Sequence, residues 1–453
     1  MKVLPRRRCL TVLVVAGTAL LAGACGFGGP NSPAAGSNAP IPDTLSKKTT
    51  ISFWHVYTGA DGAAIDGLVK KFEAANPNVT VQAQYVGGFN DLNKKVVSSL
   101  QAGSPPDVTV AYPPNVLEYV KSKRVVDLTP YVDKAGAGLS KQDLADILPN
   151  ELKRNRYSTQ GGAYLSFPFA VNVAVLYYNA DLLAKAGFNA PPKTWADFER
   201  VCAAVKALGR TCYSANANAS TLNAIGYSYG TSPVAADGKA SFGTAQWKDA
   251  FGLLGRLTGS GTTRLASTGD AQTVDQNEFV SGQAAFIIRS SRTAPFLSKA
   301  IGDKFAWNAA ALPQATATAR PTTALYGPGL AAFASDPDRQ LASWQLIKFL
   351  GSADTQSTWA KSTGNLPIRR SVVTAPAYAA YLKQHPATAV SASLVADAHW
   401  EGALGDQGIV AFLPQKLRNS MEDLEGGILS GALTPDAAQS QLQAQATRLM
   451  AAR

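Results

Sequence analysis

The stretch ISFWHVYTGADGAAIDGLVKKFEAANPNVTVQAQYV, residues 51–86, decides the fold class. It opens on a strand-like run that closes in His55, Tyr57 and Thr58 before a glycine. Ile65, Leu68, Val69 and Phe72 then recur at the spacing of one helical face, with Asp61, Asp66, Lys70 and Lys71 elsewhere on the wheel. Asn76-Pro77 ends that helix, and VTVQAQYV (79–86) alternates with period two. Strand, helix and strand in so few residues form a βαβ unit, which implies a parallel sheet.

The pattern continues outward. A helix is expected near 90–102, a strand at DVTVAY (107–112) and a helix near 114–123. A second α/β region follows, with AVLYY (174–178) and QAAFIIRS (283–290) as dense buried strands. Helices are expected from Asp181 to Ala186 and from Trp195 to Leu208. A strand at 330–333 and helices at 338–350, 414–430 and 435–451 complete the reading; 228–242 reads as a loop. Open parallel sheets take ligands beyond the carboxyl ends of their strands, so residues 54–59 belong to a cleft wall between two lobes.

A length of 453 residues exceeds what one hydrophobic core usually supports, and 46% hydrophobic with 16% charged residues is ordinary globular material. Lys2, Arg6, Arg7 and Arg8 precede an apolar run from Cys9 to Ala22 that ends in LAGAC (21–25). This reads as a signal peptide over 1–24 whose lipobox makes Cys25 the lipidated first residue of an exported, membrane-anchored chain, with plain secretion as the alternative. Gly-, Pro- and Ser-rich residues to 47 read as a flexible linker. Cys202 and Cys212 then form one local disulfide, or remain two buried thiols. The formal net charge of +11 is scattered, and its basic clusters lack the length and aromatic interleaving of a nucleic-acid surface. The 3 histidines have no metal-site spacing, and no G-x-S-x-G or H-E-x-x-H motif occurs, so neither metal, cofactor nor catalysis is expected.

Eight motifs, running in order over about 48–450, resemble the extracellular solute-binding proteins of family 1. These are the capture components of bacterial ABC importers for sugars and glycerol-phosphate compounds. The motifs are FWH (53–55), FEAANPNV (72–79), PPDVTV (105–110), PFAVNVAVLYYN (168–179) with DLLAKAGF (181–188), PPKTWADF (191–198), FVSGQAAFIIRSS (279–291), YGPGLAAF (326–333) and STGNLPIRRS (362–371). The resemblance implies a two-lobe periplasmic-binding-protein-like fold of type II, each lobe a mostly parallel sheet flanked by helices, closing by hinge bending and docking on a permease as a monomer. It implies lobes at 48–166 plus 313–355 and at 167–312 plus 356–453.

The expected ligand-binding residues are His55, Tyr57, Thr58, Phe89, Tyr112, Asn172, Arg289, Ser290, Ser291, Tyr326, Gly327, Gly329, Asn365 and Trp400. Trp247, Trp307, Trp344 and Trp359 fit core stripes better. In PPKTWADF, Thr194 reads as a helix cap with Asp197. Against the glycerol-phosphate-binding branch, the acidic residue after the third strand falls near Pro113, a tyrosine becomes Asn365 and an arginine falls near Ile409. A phosphate clamp would then rest on Arg289 or Arg292. A neutral mono- or oligosaccharide is therefore the expected solute, a glycerophosphodiester the alternative. A glycan hydrolase or a non-binding structural lipoprotein would be the readings from other classes.

Overall fold

The computed structural model describes residues 41–269 and 272–451. The expected leader, Cys25 and most of the linker lie outside them. The linker's last residues are docked rather than free. Ile41 and Leu45 pack on the first core, and Ser46 donates its N–H to Asp338 Oδ1 at 2.9 Å, so the folded body starts before residue 48.

The opening βαβ unit forms as its pattern requires: strand Thr49–His55, helix Gly59–Ala75, strand Val79–Tyr85, the two strands parallel. Ile65, Leu68, Val69 and Phe72 are all buried, because the helix has only that apolar stripe to lay on the sheet. Strand Val108–Ala111 joins in parallel, and Gly329–Ala332 adds antiparallel, followed by Phe167–Pro168. The core of this first sheet includes Phe53, Phe169, Trp344 and Trp359.

A second sheet runs in the order His399–Trp400, Ala324–Tyr326, Asn172–Asn179, Ala284–Ser290, Thr211–Ala217, Thr263–Thr268, with Trp307–Ala310 also paired to Asn172–Asn179. It carries core on both faces. Leu176 and Phe286 lie in one cluster with Trp195, Trp247 and Met421, while Val175 and Ile287 lie in another with Phe279. Burial on both sides is why AVLYY is continuously apolar instead of alternating. Trp247, Trp344 and Trp359 are buried outright, as core stripes demand. Thr194 caps helix Trp195–Ala207, its Oγ1 accepting the Asp197 N–H at 3.1 Å.

A third, small sheet joins strands Gly402–Gly405 and Gly408–Phe412 to Arg156–Tyr157 and Ala163–Tyr164. Two of its strands have only two residues and the other two only four and five, too short to show a readable period, so this sheet escaped sequence reading.

Cys202 on helix Trp195–Ala207 and Cys212 on strand Thr211–Ala217 are joined by a disulfide across 10 positions. Loop-closure entropy for so short a ring is worth about 2–3 kcal/mol. The Cys202→Ala, Cys212→Ala double variant is expected to lower the urea-unfolding free energy by that amount. A loss under about 0.5 kcal/mol would show that the ring is already ordered in the unfolded chain.

Candidate functional site

The connections between the two sheets fix where a site can be. Strands Thr49–His55 and Val108–Ala111 end at His55 and Ala111; Ala284–Ser290 and Ala324–Tyr326 end at Ser290 and Tyr326. Tyr326 is followed after two residues by Gly329, which sits opposite Ala111. Phe167–Pro168 similarly continues after three residues into Asn172, opposite Tyr326. Such short crossings make the carboxyl edges of the two sheets face each other, which is where open α/β sheets hold ligands.

On the first sheet's edge, His55 is buried, and its Nδ1 accepts the Tyr57 N–H at 3.2 Å. That bond requires a neutral imidazole protonated on Nε2. Tyr57 stands edge-on to Trp359 at 4.8 Å, in the core, with its buried hydroxyl lacking a hydrogen-bond partner. Burial raises its phenol pKa far above the ordinary value. Thr58 occupies the cap position of the following helix, exposed, without a side-chain capping bond. Phe89 and Tyr112 are half-buried and in ring contact at 4.5 Å.

On the facing edge, Asn172, Ser291 and Asn365 come together. Asn172 Nδ2 donates to Asn365 Oδ1 at 2.9 Å, and Ser291 Oγ donates to Asn172 Oδ1 at 3.3 Å, all three side chains buried. They form a hydrogen-bonded web at the crossing strands. Ser290 and Tyr326 are half-buried at strand ends, and Ser290 Oγ accepts the Arg292 N–H. Gly327 and Gly329 are close-approach glycines: a Cβ would lie 2.1 Å from the Ala170 carbonyl oxygen and 2.3 Å from Asn155 Oδ1, respectively. Trp400 is half-buried beside a cavity of about 200 Å³ that Tyr227, Leu325 and Leu404 also line.

Arg289, expected to reach a ligand, has another post. It is buried and grips Asp275 through Nε at 2.7 Å and Nη2 at 2.5 Å, with Nη2 also on the Gln272 carbonyl. Arg292 pairs with Asp61, from the first turn of helix Gly59–Ala75, at 2.9 Å. Burial raises the Asp61 pKa despite that cation. Both residues considered for a phosphate clamp therefore already face a carboxylate.

Sequence reasoning missed a third cation. Ile409, where alignment put the lost arginine, is a buried strand residue paired with Tyr157. Arg418, on helix Gln415–Leu429, instead donates from Nη1 to Glu401 Oε2 at 2.7 Å and from Nη2 to Ser220 Oγ at 2.9 Å. Its partner Ser220 lies nearly 200 residues away in sequence, so no local spacing could reveal the group. Among the described residues, no cluster of three or more His, Cys, Asp or Glu could hold a metal, and no helix is long and apolar enough to cross a membrane.

The model of the bacterial extracellular solute-binding proteins matches residues 67–387. The chain belongs to this family. Its members are binding proteins of extracytoplasmic location. Among relatives, a binding protein of Brucella abortus (strain 2308) is 26% identical over 69% of this chain and 74% of its own. The sn-glycerol-3-phosphate-binding periplasmic protein UgpB of Escherichia coli (strain K12) is 24% identical over 71% and 75%. Among solved structures, UgpB from Mycobacterium tuberculosis in complex with glycerophosphocholine superposes with a TM-score of 0.77 at 20% identity, covering 89% of this chain and 99% of that one. The GacH receptor of Streptomyces glaucescens, solved unliganded and with acarbose, gives 0.74 at 21%, covering 89% and 98%. The fold is the type II two-lobe fold of these proteins.

The burial of His55 holds its pKa below the usual imidazole value. A depressed folded-state pKa means the unfolded chain binds the proton first, so stability is lost as pH falls from about 6.5 through the lower folded value. Wild-type unfolding free energy is expected to drop more between pH 7 and 5 than that of His55→Gln. Equal slopes in urea titrations would remove His55 from the pH response.

Proposed function

We propose that this protein is the solute receptor of an ABC importer, taking a neutral mono- or oligosaccharide between its two lobes and delivering it to a membrane permease without turnover. The observation that carries the choice of solute is charge balance. Arg289, Arg292 and Arg418 each face a carboxylate at 2.9 Å or closer, which leaves little uncompensated positive charge for a phosphate. Half-buried Phe89, Tyr112, Tyr326 and Trp400 supply ring faces for the apolar side of a sugar. The reading includes the leader at 1–24, lipid on Cys25 and action as a monomer. We assign the first lobe the first-sheet core, including helix Ala353–Thr363 through Trp359. The second lobe takes strand Ala324–Tyr326 with its sheet. Asp61–Arg292 would then bridge the lobes.

A glycerophosphodiester is the second reading, favoured by the fold likeness to a protein solved with glycerophosphocholine. One experiment separates them: a thermal-shift screen of the purified body against sugars and glycerophosphodiesters, since a solute that binds only the native state raises the midpoint. Sugars are expected to raise it and to shrink the scattering radius of gyration. A response to phosphodiesters alone would overturn the carbohydrate reading, product formation would overturn the receptor reading, and an unchanged scattering profile at saturation would overturn closure.

A further inference from the structure

Arg289 and Arg418 find their carboxylates within the second sheet's own half. Arg289 is held by Asp275, on helix Val274–Val280, and Arg418 by Glu401, which follows strand His399–Trp400 of that sheet. Arg292 reaches across instead. It lies in the turn Ser291–Thr293, directly after strand Ala284–Ser290 and ahead of helix Ala294–Ile301, whose Ala294, Leu297 and Ile301 pack in the second sheet's core. Its Nη2 donates to Asp61 Oδ2 at 2.9 Å, and Asp61 belongs to helix Gly59–Ala75, whose buried stripe lies in the first sheet's core. The pair therefore joins two bodies with separate hydrophobic cores, 231 positions apart in the chain.

Solvent access sets what such a pair can do. Arg292 and Asp61 keep 38% and 18% of their side-chain surface exposed, whereas Arg154 and Glu151, at the crossing strands, keep 0% and 1%. A fully buried pair cannot part without stranding two dry charges, so it acts as a fixed fastening. Charges that water already reaches can part and be hydrated, and their attraction is correspondingly small and screened by salt. Between two bodies that rotate, a pair of this kind shifts an equilibrium by a factor of about 2 to 5 and does not lock it. The two edges approach at a second place as well: Tyr112, just after strand Val108–Ala111, lies near enough to Arg418 to act on its charge. The Asp61–Arg292 contact thus belongs to the arrangement in which the edges are together.

We infer that Asp61 and Arg292 are positioning residues for solute capture, an interlobe latch that forms as the lobes come together and raises affinity without touching the solute. This rests on the two-lobe receptor reading and deepens it. A receptor whose binding-competent state is only fractionally populated binds more weakly by that fraction, so whatever favours the closed arrangement strengthens binding. A neutral sugar carries no charge for salt to screen. Its affinity nevertheless falls with ionic strength when closure makes an ion pair within the protein.

The test compares wild type, Asp61→Asn, Arg292→Gln and the exchanged double variant Asp61→Arg, Arg292→Asp. Without solute, small-angle scattering is recorded from about 0.01 M to about 1 M salt, over which the screening length falls from roughly 30 Å to roughly 3 Å. Wild type is expected to expand as salt rises. Each single variant should be expanded from the start and insensitive to salt, and the exchanged pair should return toward wild type. Calorimetric titration then uses glucose, cellobiose, trehalose and maltotriose. A sugar that binds should do so about 2- to 5-fold more weakly in each single variant at low salt, with the same loss in wild type at high salt. Radii that neither salt nor substitution moves, or single variants that bind more tightly, would overturn the latch. A merely structural role predicts lowered melting temperatures with radius and salt response as in wild type, which overturns it equally. Should wild type take none of the four sugars, the carbohydrate reading falls, while the scattering measurement still decides the latch.

Discussion

Replacing Arg154 by alanine is expected to destabilise the protein by about 3–5 kcal/mol, the usual penalty for stranding one member of a buried ion pair. Arg154 and Glu151 are 0% and 1% exposed at their side chains, and Arg154 Nε donates to Glu151 Oε2 at 2.7 Å. The rest of the guanidinium is used on the crossings themselves. Nη2 donates to the Ala170 carbonyl at 2.8 Å and Nη1 to the Gly327 carbonyl, so one side chain ties together two strands that pass between the sheets. Burial raises the Glu151 pKa against the opposing pull of Arg154, so loss of the cation removes the influence that favours the charged carboxylate. The comparison that isolates the ion pair is Glu151→Leu with Arg154→Met. That double variant is expected to unfold at higher urea than Arg154→Ala, because no buried charge is left unpaired. If the single and double variants unfold together, the loss lies in the carbonyl contacts and not in the charge.

Gly327→Ala is expected to destabilise the same crossing by a steric route. A methyl group there would stand 2.1 Å from the Ala170 oxygen and 2.8 Å from its carbonyl carbon, at a φ of +152°. The obstacle is backbone, and that backbone is held by Arg154, so neither strand can yield by a side-chain rotation. Overpacking of this kind costs about 1–3 kcal/mol and sometimes more. Because the crossing strands set how the two carboxyl edges oppose, solute affinity should fall as well, even under conditions where the variant is folded. Circular dichroism melts and calorimetry read the two effects separately. A variant within about 0.5 kcal/mol of wild type, with unchanged affinity, would show that the crossing is pliable.

Much of the fold was legible because its signals are local. The stripe of Ile65, Leu68, Val69 and Phe72 and the alternation at the start of 79–85 need no distant partner to be read: the four helix residues, Val79 and Val81 are buried, whereas Tyr85, at the strand's end, is exposed. The ends of the strands at His55 and Ser290 were legible for the same reason, since strand ends are where periodicity stops. The electrostatics of the site were not. Arg289 is expected from sequence to reach a ligand, and only the fold brings Asp275 against it. Arg418 was read as part of a terminal helix, and only the fold brings Glu401 and Ser220 to it. Asn172 and Asn365 were each singled out alone, yet they bond one another across 193 positions. Charges and amides carry no information about their partners in sequence, whereas apolar periods do.

The small third sheet bears on how the molecule can move. The chain crosses between the two main sheets in the strands around Ala170 and Gly327, but Ile409 also reaches back from the second half of the chain to pair with Tyr157. A body fastened to its neighbour along one line and again at a separate point keeps a single rotational freedom, about the axis through both attachments. Any opening of one half on the other would then have to follow that axis, with twisting and sliding resisted by the second attachment.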